Sequence, residues 1–489
     1  ARPAMQHFYK LKLVYPQYAP GKSSKDYEEQ FANKKHQAAA VEKAINVSAF
    51  NVFLGSFVDM LFDDTFNENL KNKISSSLLI LFEQYPPYRR VHLLADLISM
   101  FAEESHAPME VKIRKLFEVT GATGIKVAQF LAEKPEIVPN ETIRSELAKS
   151  RERVESFSRA SVFSATNEEV WEITDKRGSA SIKRVDEGNG KTIIIKTRRP
   201  NLMLDLEEDK RVLPLLGKEF DLNVNDAFIE STKQEGDFRL EAENQKKLKH
   251  NLDGHRFGTF DYHVPEVYSV SDDGAVMIEE PARGQSLSQI WNRVSTSEQT
   301  DISSSVADAF FHQVFVDGFF HADLHKGDIF VDGSTLTLID SGLCGKATSQ
   351  QKFAYLDFLI AFSSNNPKRL ENNISAYFLS KGNISRETKI NLRNISANPQ
   401  SSSEAKMQQI LKELSGYKLK SEFVVFLKAL AAISPYIDSI NADNPDIIQK
   451  LIVKSVRSWV QSLSKSDIVT LFVRNPLRVA VYLVDPSLR

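Results

Sequence analysis

Apolar residues recur with helical spacing near the two ends of the chain and with strand spacing between them. The segments VHLLADLISMFAEE and EVKIRKLFEVT carry apolar residues at positions i, i+3, i+4 and i+7, the pattern of an amphipathic helix. From about residue 168 the pattern changes to short β-branched runs, VWEIT, SIKRV and TIIIKT, separated by polar segments that contain glycine. After residue 346 helical spacing returns, first in QQKFAYLDFLIAFSS. The chain is therefore predicted to be an α+β protein with a strand meander between two helical regions.

Composition narrows the class of protein without identifying it. The chain has 489 residues, of which 42% are hydrophobic and 26% are charged, as in ordinary globular proteins. Its formal net charge of −2 gives no electrostatic footprint for nucleic acid, so no nucleic-acid partner is expected. The single cysteine, Cys344, excludes an internal disulfide and fits a reducing, intracellular compartment. The apolar stretches 48–62 and 423–437 are too short for a membrane span, so both are predicted to be core helices and no transmembrane segment is predicted.

The stretch from residue 318 to residue 345, GFFHADLHKGDIFVDGSTLTLIDSGLCG, contains three acids in a defined order. Asp323 and Asp328 precede a turn between two short apolar runs, FV and LTLI, and Asp340 follows the second run. Phosphoryl transfer needs one acid that orients or deprotonates the acceptor and later side chains that hold metal ions against the phosphates. We therefore predict that Asp323 is catalytic and that Asp328 and Asp340 bind Mg²⁺ or Mn²⁺. The alternative is a surface hairpin with solvated acids.

Lys196 ends the apolar strand IIIK and is followed by the segment TRRP. A lysine at the end of such a strand can reach the α- and β-phosphates of ATP. The alternative is a strand-end lysine whose ammonium extends into water. The lysine and the three acids together predict a nucleotide site for ATP with magnesium.

Several motifs, in order, resemble those of the UbiB (ABC1/aarF-domain) atypical kinases. HADLHKGD resembles the family pattern HxDxHPGN, and LIDSGLCG resembles LIDFGLxG. GSASIKRV followed by TIIIKTRRP resembles the family's Ala-rich loop and lysine strand, and GIKVAQ resembles its KxGQ motif. The resemblance implies a protein-kinase-like bilobal fold with an N-terminal helical KxGQ-type extension and an all-helical C-terminal large-lobe extension. The implied parts are a helical extension over residues 1–150, a small lobe over 151–285 and a large lobe over 286–489.

The same resemblance assigns further site residues. Lys126 and Gln129 would point into the nucleotide pocket, and Glu241 would be the helix glutamate that pairs with Lys196. Ala180 and Ser181 of the Ala-rich loop would lie at the phosphates. Other implied cofactor-binding residues are Glu235, expected to contact Lys126, and Glu279, in the hinge segment 277–281 where backbone groups would bind adenine.

Three positions in the catalytic stretch depart from the family pattern. Asp328 replaces a metal-binding Asn and should raise the demand for metal, because it adds a negative charge beside Asp340. Ser341 replaces a Phe, which costs ~3 kcal/mol if nothing refills the space. Lys326 replaces a Pro and adds a cation near the phosphates. These departures leave the catalytic competence open.

Three functions are compatible with these motifs. The first is a UbiB-like kinase or ATPase that hydrolyses Mg·ATP or phosphorylates a small or lipid-like acceptor. The second is a pseudokinase scaffold that binds nucleotide without turnover, and the third is a conventional protein kinase, which the Ala-rich loop disfavours. The resemblance further implies a role in isoprenoid-quinone (ubiquinone) biosynthesis with a lipid or quinone-pathway partner. It also implies a soluble or membrane-peripheral location on the mitochondrial, plastid or bacterial cytoplasmic side.

Overall fold

The computed structural model contains two compact units. One unit comprises Ala1–Arg239 and Tyr268–Glu279, and the other comprises Leu240–Val267 and Glu280–Arg489. The three-part division expected from the sequence stays a prediction. The structure describes residues 54, 57–59, 61–62, 67–104, 106–132, 137–151, 175–176, 180–186, 192–198, 206, 209–220, 237–363, 366–398, 401–414, 416–441 and 447–463. The predicted strand VWEIT lies outside these residues.

The described N-terminal part of the first unit is helical, as its periodicity predicts. Leu70, Ile74, Leu78 and Leu81 recur every three or four residues on the first helix and are buried in the core of this unit. Asn67 caps this helix by accepting a hydrogen bond from the Leu70 N–H at 2.9 Å. The helices are α1 (Glu68–Gln84), α2 (Pro87–Glu103), α3 (Met109–Val119), α4 (Ala122–Ala132), α5 (Glu141–Ala148) and α6 (Leu213–Glu219).

A buried ion pair crosses this helical region. The Arg89 guanidinium on α2 lies 2.8 Å from the Asp209 carboxylate, and the Thr123 hydroxyl of α4 donates a hydrogen bond to the other oxygen of Asp209. The Arg89 and Asp209 side chains are only 7% and 1% exposed, so they depend on each other for charge compensation. This contact fixes α4, the helix with the KxGQ-like motif, to α2 and to the segment that precedes α6.

A five-stranded sheet completes the first unit. Its strand order is β1-β2-β3-β7-β6, and β2 and β3 are the predicted strands SIKRV and TIIIKT. β3 pairs antiparallel with both β2 and β7, so it is a central strand. The strands are β1 (Asp175–Lys176), β2 (Ala180–Asp186), β3 (Thr192–Arg198), β6 (Val267–Val270) and β7 (Val276–Glu279).

The second unit combines short strands with long helices around one large core. A second sheet has the order β4-β5-β11-β10-β8, and β12 pairs with β9. Tyr355 stacks on Phe426 with ring centroids 3.9 Å apart at the centre of the helical core. The strands are β4 (Arg256–Phe257), β5 (Phe260–His263), β8 (Gln285–Ser286), β9 (Phe319–His321), β10 (Ile329–Asp332), β11 (Thr335–Leu338) and β12 (Cys344–Lys346).

The helices of the second unit confirm the predicted helical return after residue 346. They are α7 (Phe238–Leu252), which begins in the first unit, α8 (Leu287–Ile290), α9 (Thr296–His312), α10 (Ser349–Ser363), α11 (Pro367–Asn373), α12 (Arg386–Ala397), α13 (Ser403–Leu414), α14 (Ser421–Asn441) and α15 (Ile447–Ser462). Among the described helices, α14 alone is long and apolar enough to cross a membrane by length and composition. Its residues Phe426, Leu430 and Ile433 are buried in the core of this unit, in keeping with the predicted core helix.

Candidate functional site

Short strands bring the segments of the three predicted acids together within the second unit. Asp323 follows the buried strand β9, and Asp328 ends a 3₁₀ turn that leads into the β10–β11 hairpin. β12 then returns antiparallel to β9, where Cys344 lies opposite His321. The backbone N–H of Ile339 donates to the carbonyl of Asp328 at 3.0 Å, which joins the two predicted metal-binding segments. The hairpin predicted from the runs FV and LTLI is therefore confirmed.

His321 connects the segment of Asp323 with the segment of Asp340. Its Nδ1 atom accepts a hydrogen bond from the Asp323 N–H at 3.3 Å. Its Nε2 atom lies 2.8 Å from the Asp340 carbonyl, to which only a protonated nitrogen can donate. The imidazole is therefore the neutral Nε2–H tautomer, and one buried ring sets the backbone of both acids.

His325 makes the corresponding contact with Asp328. Its Nδ1 atom accepts from the Gly327 N–H at 3.0 Å, and its Nε2 atom lies 3.0 Å from an oxygen of the Asp328 carboxylate. Asp328 is 1% exposed, so its carboxylate is a buried charge that the His325 N–H partly compensates. The buried Tyr436 hydroxyl has a raised pKa, first because of its burial and then because of the Asp328 charge.

Asp340 has an unusual backbone conformation. Its φ of +61° lies in the left-handed region, and it is the only non-glycine residue in the described part of the chain with a positive φ. Asp tolerates this region better than most residues, but the conformation persists only where the surrounding structure imposes it. The hydrogen bond from His321 to the Asp340 carbonyl is one such constraint.

Two aspartates are a sufficient protein donor set for magnesium at a phosphate site. Among the described residues, no three His, Cys, Asp or Glu side chains form a group that could hold a metal ion. Mg²⁺ at such sites takes one or two carboxylates and completes its shell with phosphate oxygens and waters. Asp328 and Asp340 fit that chemistry, because they lie directly before and after the same hairpin and provide the hard oxygen ligands that magnesium prefers.

In the first unit, Lys196 forms a buried ion pair with Glu279. The Lys196 ammonium lies 2.9 Å from the Glu279 carboxylate, and the two side chains are 7% and 4% exposed. In the β3–β7 register Lys196 lies opposite Met277 and Ile194 lies opposite Glu279, so the ion pair is a diagonal contact on one face of the sheet. Sequence reasoning missed this pair, because it assigned Glu241 as the partner of Lys196, a pairing that stays a prediction.

Four of the remaining predicted site residues lie in described helices and strands of the first unit. Gln129 on α4 donates to the carbonyl of Ser150 at 3.2 Å, and Lys126 lies on the same helix. Ala180 and Ser181 begin β2, opposite Arg198 and Thr197 of β3. Their proposed contacts with nucleotide stay predictions, and Glu235 lies outside the described residues.

Glu241 lies on α7 in the second unit, where it is 4% exposed. Burial raises the pKa of the Cys344 thiol, and the charges of Glu241 and Asp340 raise it further. The charges of Glu241 and Asp340 therefore both disfavour ionisation of the Cys344 thiol.

Two of the residues that depart from the family pattern, Lys326 and Ser341, make specific contacts in the folded chain. The Lys326 ammonium lies 3.8 Å from the centre of the Trp291 ring, and burial lowers its pKa. Ser341 is buried, and its carbonyl accepts a hydrogen bond from the Asn244 side chain at 3.0 Å. Sequence reasoning missed Trp291, because it belongs to no motif and meets Lys326 only in the folded chain.

Comparisons with known proteins find one matching family model and several similar proteins. Residues 151–374 match the family described as the ABC1 atypical kinase-like domain. The protein called "Probable protein kinase UbiB" from Aeromonas hydrophila is 27% identical, over 53% of this chain and 52% of its own length. An uncharacterised protein from Clostridium pasteurianum, named for its position in the hydrogenase 1 5′ region, is 24% identical over 72% of this chain and 71% of its own. This chain therefore spans about half the length of the UbiB proteins that it matches.

A solved structure gives a further, more distant similarity. The structure of the Rv3197–erythromycin complex from Mycobacterium tuberculosis aligns with 78% of this chain and 91% of its own chain. The two chains are 14% identical, and the TM-score is 0.43.

Proposed function

Because this chain belongs to the UbiB/ABC1 family of atypical kinases and has the α+β, protein-kinase-like fold of that family, we propose that it binds Mg·ATP and hydrolyses it or phosphorylates a small or lipid-like acceptor. The observation that carries this proposal is the His321 contact with both the Asp323 and the Asp340 segments. Phosphoryl transfer depends on positioned acids more than on covalent chemistry, and this contact positions two of them.

Each charged residue has a distinct role in this proposal. Lys196, kept in place by Glu279, holds the α- and β-phosphates. Asp323, which is exposed at the end of β9, accepts the proton of the attacking hydroxyl or water. Asp328 and Asp340 would hold Mg²⁺, which neutralises charge on the phosphates when it is bound. Glu241, Ala180, Ser181, Lys126, Gln129 and Glu235 keep the supporting roles that the resemblance implies.

A pseudokinase is the second candidate, favoured by the contact between His325 and Asp328. That contact occupies one oxygen of a carboxylate that should bind metal. A pseudokinase of this kind would bind nucleotide without turnover. A link to isoprenoid-quinone biosynthesis at a membrane surface belongs to the kinase proposal only through the family resemblance.

A thermal-melt titration separates these candidates from a chain that binds no nucleotide. ATP or ADP is added with and without Mg²⁺ or Mn²⁺, and ligand at 100-fold over its Kd should stabilise the chain by ~2.7 kcal/mol. We expect a melting shift that requires metal. A shift with nucleotide alone would contradict the roles of Asp328 and Asp340, and no shift with any nucleotide would contradict the proposal as a whole.

Release of phosphate from ATP then tests Asp323. Asp323→Asn should lower turnover by ~10²-fold or more and leave the nucleotide-dependent melting shift intact, since a general base contributes 10²–10⁴-fold. Asp332→Asn is the matched control, because Asp332 is an exposed aspartate at the end of β10. Equal turnover in the two variants would rule out a catalytic Asp323. No turnover in the unaltered chain, together with a nucleotide-dependent shift, would support the pseudokinase.

A further inference from the structure

A single-turn π-helix precedes the catalytic strand. α9 ends at His312 and continues as the π-helix Gln313–Asp317, which Gly318 terminates with a φ of +61°. A π-turn adds one residue per turn and changes the direction in which the following side chains point, and such turns are frequent at functional sites. In this chain the turn leads directly into β9 and His321.

The first residue of this π-helix contacts His321. Gln313 is fully buried, and its side-chain oxygen accepts a hydrogen bond from the His321 N–H at 3.0 Å. Because that donor requires an acceptor, the orientation of the amide is fixed, and the Nε2 group points the other way. This Nε2 group is buried and makes no hydrogen bond within the described part of the protein. A purely apolar side chain would fill the same space without burying an unsatisfied donor, so packing alone does not account for glutamine at this position.

The other end of the π-helix is also fixed. The Lys352 ammonium donates hydrogen bonds to the carbonyls of Phe315 at 2.8 Å and Val316 at 3.0 Å. A side chain at Gly318 would lie 2.7 Å from the Ala347 carbonyl, so the chain after the π-helix is closely packed. The π-helix is therefore fixed at both of its ends, and this sets the position of Gln313 relative to His321.

We infer that Gln313 is a positioning residue for the reaction proposed above. It holds the His321 backbone, and the His321 ring in turn bonds the Asp323 N–H and the Asp340 carbonyl. Gln313 touches neither nucleotide nor metal in this role, and it acts only through His321. The inference rests on the proposed phosphoryl-transfer function.

Three substitutions test this role. Gln313→Met keeps the length of the side chain but replaces the amide oxygen with a thioether sulfur, which is only a weak acceptor, and Gln313→Glu keeps an acceptor oxygen at the same reach. A displacement of about 1 Å at a reacting group can cost 10²-fold. We expect Gln313→Met to lower kcat for ATP turnover by ~10- to 100-fold, with a smaller change in the KM for ATP. Gln313→Glu should recover most of that loss. If Gln313→Met does not fold, Gln313→Asn takes its place, because the shorter side chain withdraws the oxygen and keeps the amide.

Asn373→Leu is the control for the loss of a buried amide. Asn373 is also fully buried and bonds the Ala354 carbonyl and the Asp357 carboxylate, both at 3.0 Å, in the helical core. It should lower the melting temperature and leave kcat unchanged at temperatures well below melting. Equal kcat values in Gln313→Met and the unaltered chain would overturn the inference, as would an equal loss of kcat in Asn373→Leu.

Nitrogen NMR of the His321 ring separates failure of this inference from failure of the proposed function. The unaltered chain should show the Nε2–H tautomer, and Gln313→Met should shift both ring nitrogen signals, whether or not ATP is turned over. Unchanged ring signals in Gln313→Met would overturn the inference by themselves. Shifted signals in a chain without turnover would support the contact and count against the proposed function alone.

Discussion

The segment around Lys196 and the segment around His321 are stabilised by different kinds of interaction. Lys196 depends on a charged side chain, Glu279, that reaches it from a neighbouring strand. His321 instead depends on neutral hydrogen bonds to backbone groups, with the Asp323 N–H two residues away and the Asp340 carbonyl after the hairpin. One segment is therefore fixed by charge and the other by local geometry.

This difference predicts different responses to substitution. A buried ion pair loses the compensation of a charge when one partner is removed, so each single change is costly and the pair is strongly coupled. A neutral network loses one or two hydrogen bonds, so its stability changes less, while the acids that it positions lose their geometry. The Lys196 segment should be more sensitive in stability, and the His321 segment should be more sensitive in activity.

The largest expected effect on stability is at the Lys196–Glu279 pair. Lys196→Met and Glu279→Gln should each lower the free energy of unfolding by ~3 kcal/mol, because each leaves a buried charge with one partner fewer. The double variant should lose less than the sum of the single losses. Urea unfolding of the four chains measures this coupling.

An exposed cross-strand pair provides the control for this cycle. Arg256 and Asp261 lie opposite each other on β4 and β5, with their charged atoms 3.6 Å apart and their side chains 60% and 47% exposed. Their coupling should stay below ~1 kcal/mol. A similar coupling in both cycles would show that burial does not strengthen the Lys196 pair, and the comparison between the two segments would fail.

A smaller effect on stability, with a larger effect on turnover, is expected at His321. His321→Leu removes the hydrogen bonds to the Asp323 N–H and the Asp340 carbonyl and should cost ~1–3 kcal/mol. Turnover of ATP should fall by ~10²-fold. His250→Leu, at an exposed position of α7, is the control and should change neither quantity. Wild-type turnover in a folded His321→Leu chain would show that the ring does not position the acids.

The sequence predicted the elements of both segments, but only some of their contacts. The strands SIKRV and TIIIKT and the hairpin around FVDG have strong local signals, and all of them are present. The helix α9 leads into the catalytic stretch, and the turn that continues it is a π-helix. No periodic pattern distinguishes that turn from an α-helical one, so the orientation of Gln313 could not be predicted.

Contacts between distant parts of the chain were harder to predict. The partner of Lys196 depends on the β3–β7 register, and Glu279 was expected in the adenine hinge. Met277 lies directly opposite Lys196 in the pairing of β3 and β7. Glu279 is two residues further along β7, so its side chain is on the same face of the sheet as Met277 and its carboxylate lies against Lys196. The acids of the catalytic stretch were easier to assign, because their spacing within one short stretch specifies a turn and a hairpin.

The last expected effect is on the pH dependence of stability, and it concerns Lys352, which holds the π-helix. Burial lowers the pKa of Lys352 from 10.5 to about 8. Between these two values the unfolded chain binds a proton at this site that the folded chain does not, so stability should rise with pH in this range and be lost again as the pH falls through 8. The slope cannot exceed ~1.4 kcal/mol per pH unit for one group.

Other groups titrate in the same range, so the measured quantity is the difference in unfolding free energy between the unaltered chain and Lys352→Met at pH 7 to 10. We expect this difference to grow in favour of the unaltered chain as the pH rises. A difference that is constant with pH would mean that the Lys352 ammonium stays charged on the Phe315 and Val316 carbonyls, and that charge contributes to the His321 segment as it does to the Lys196 segment.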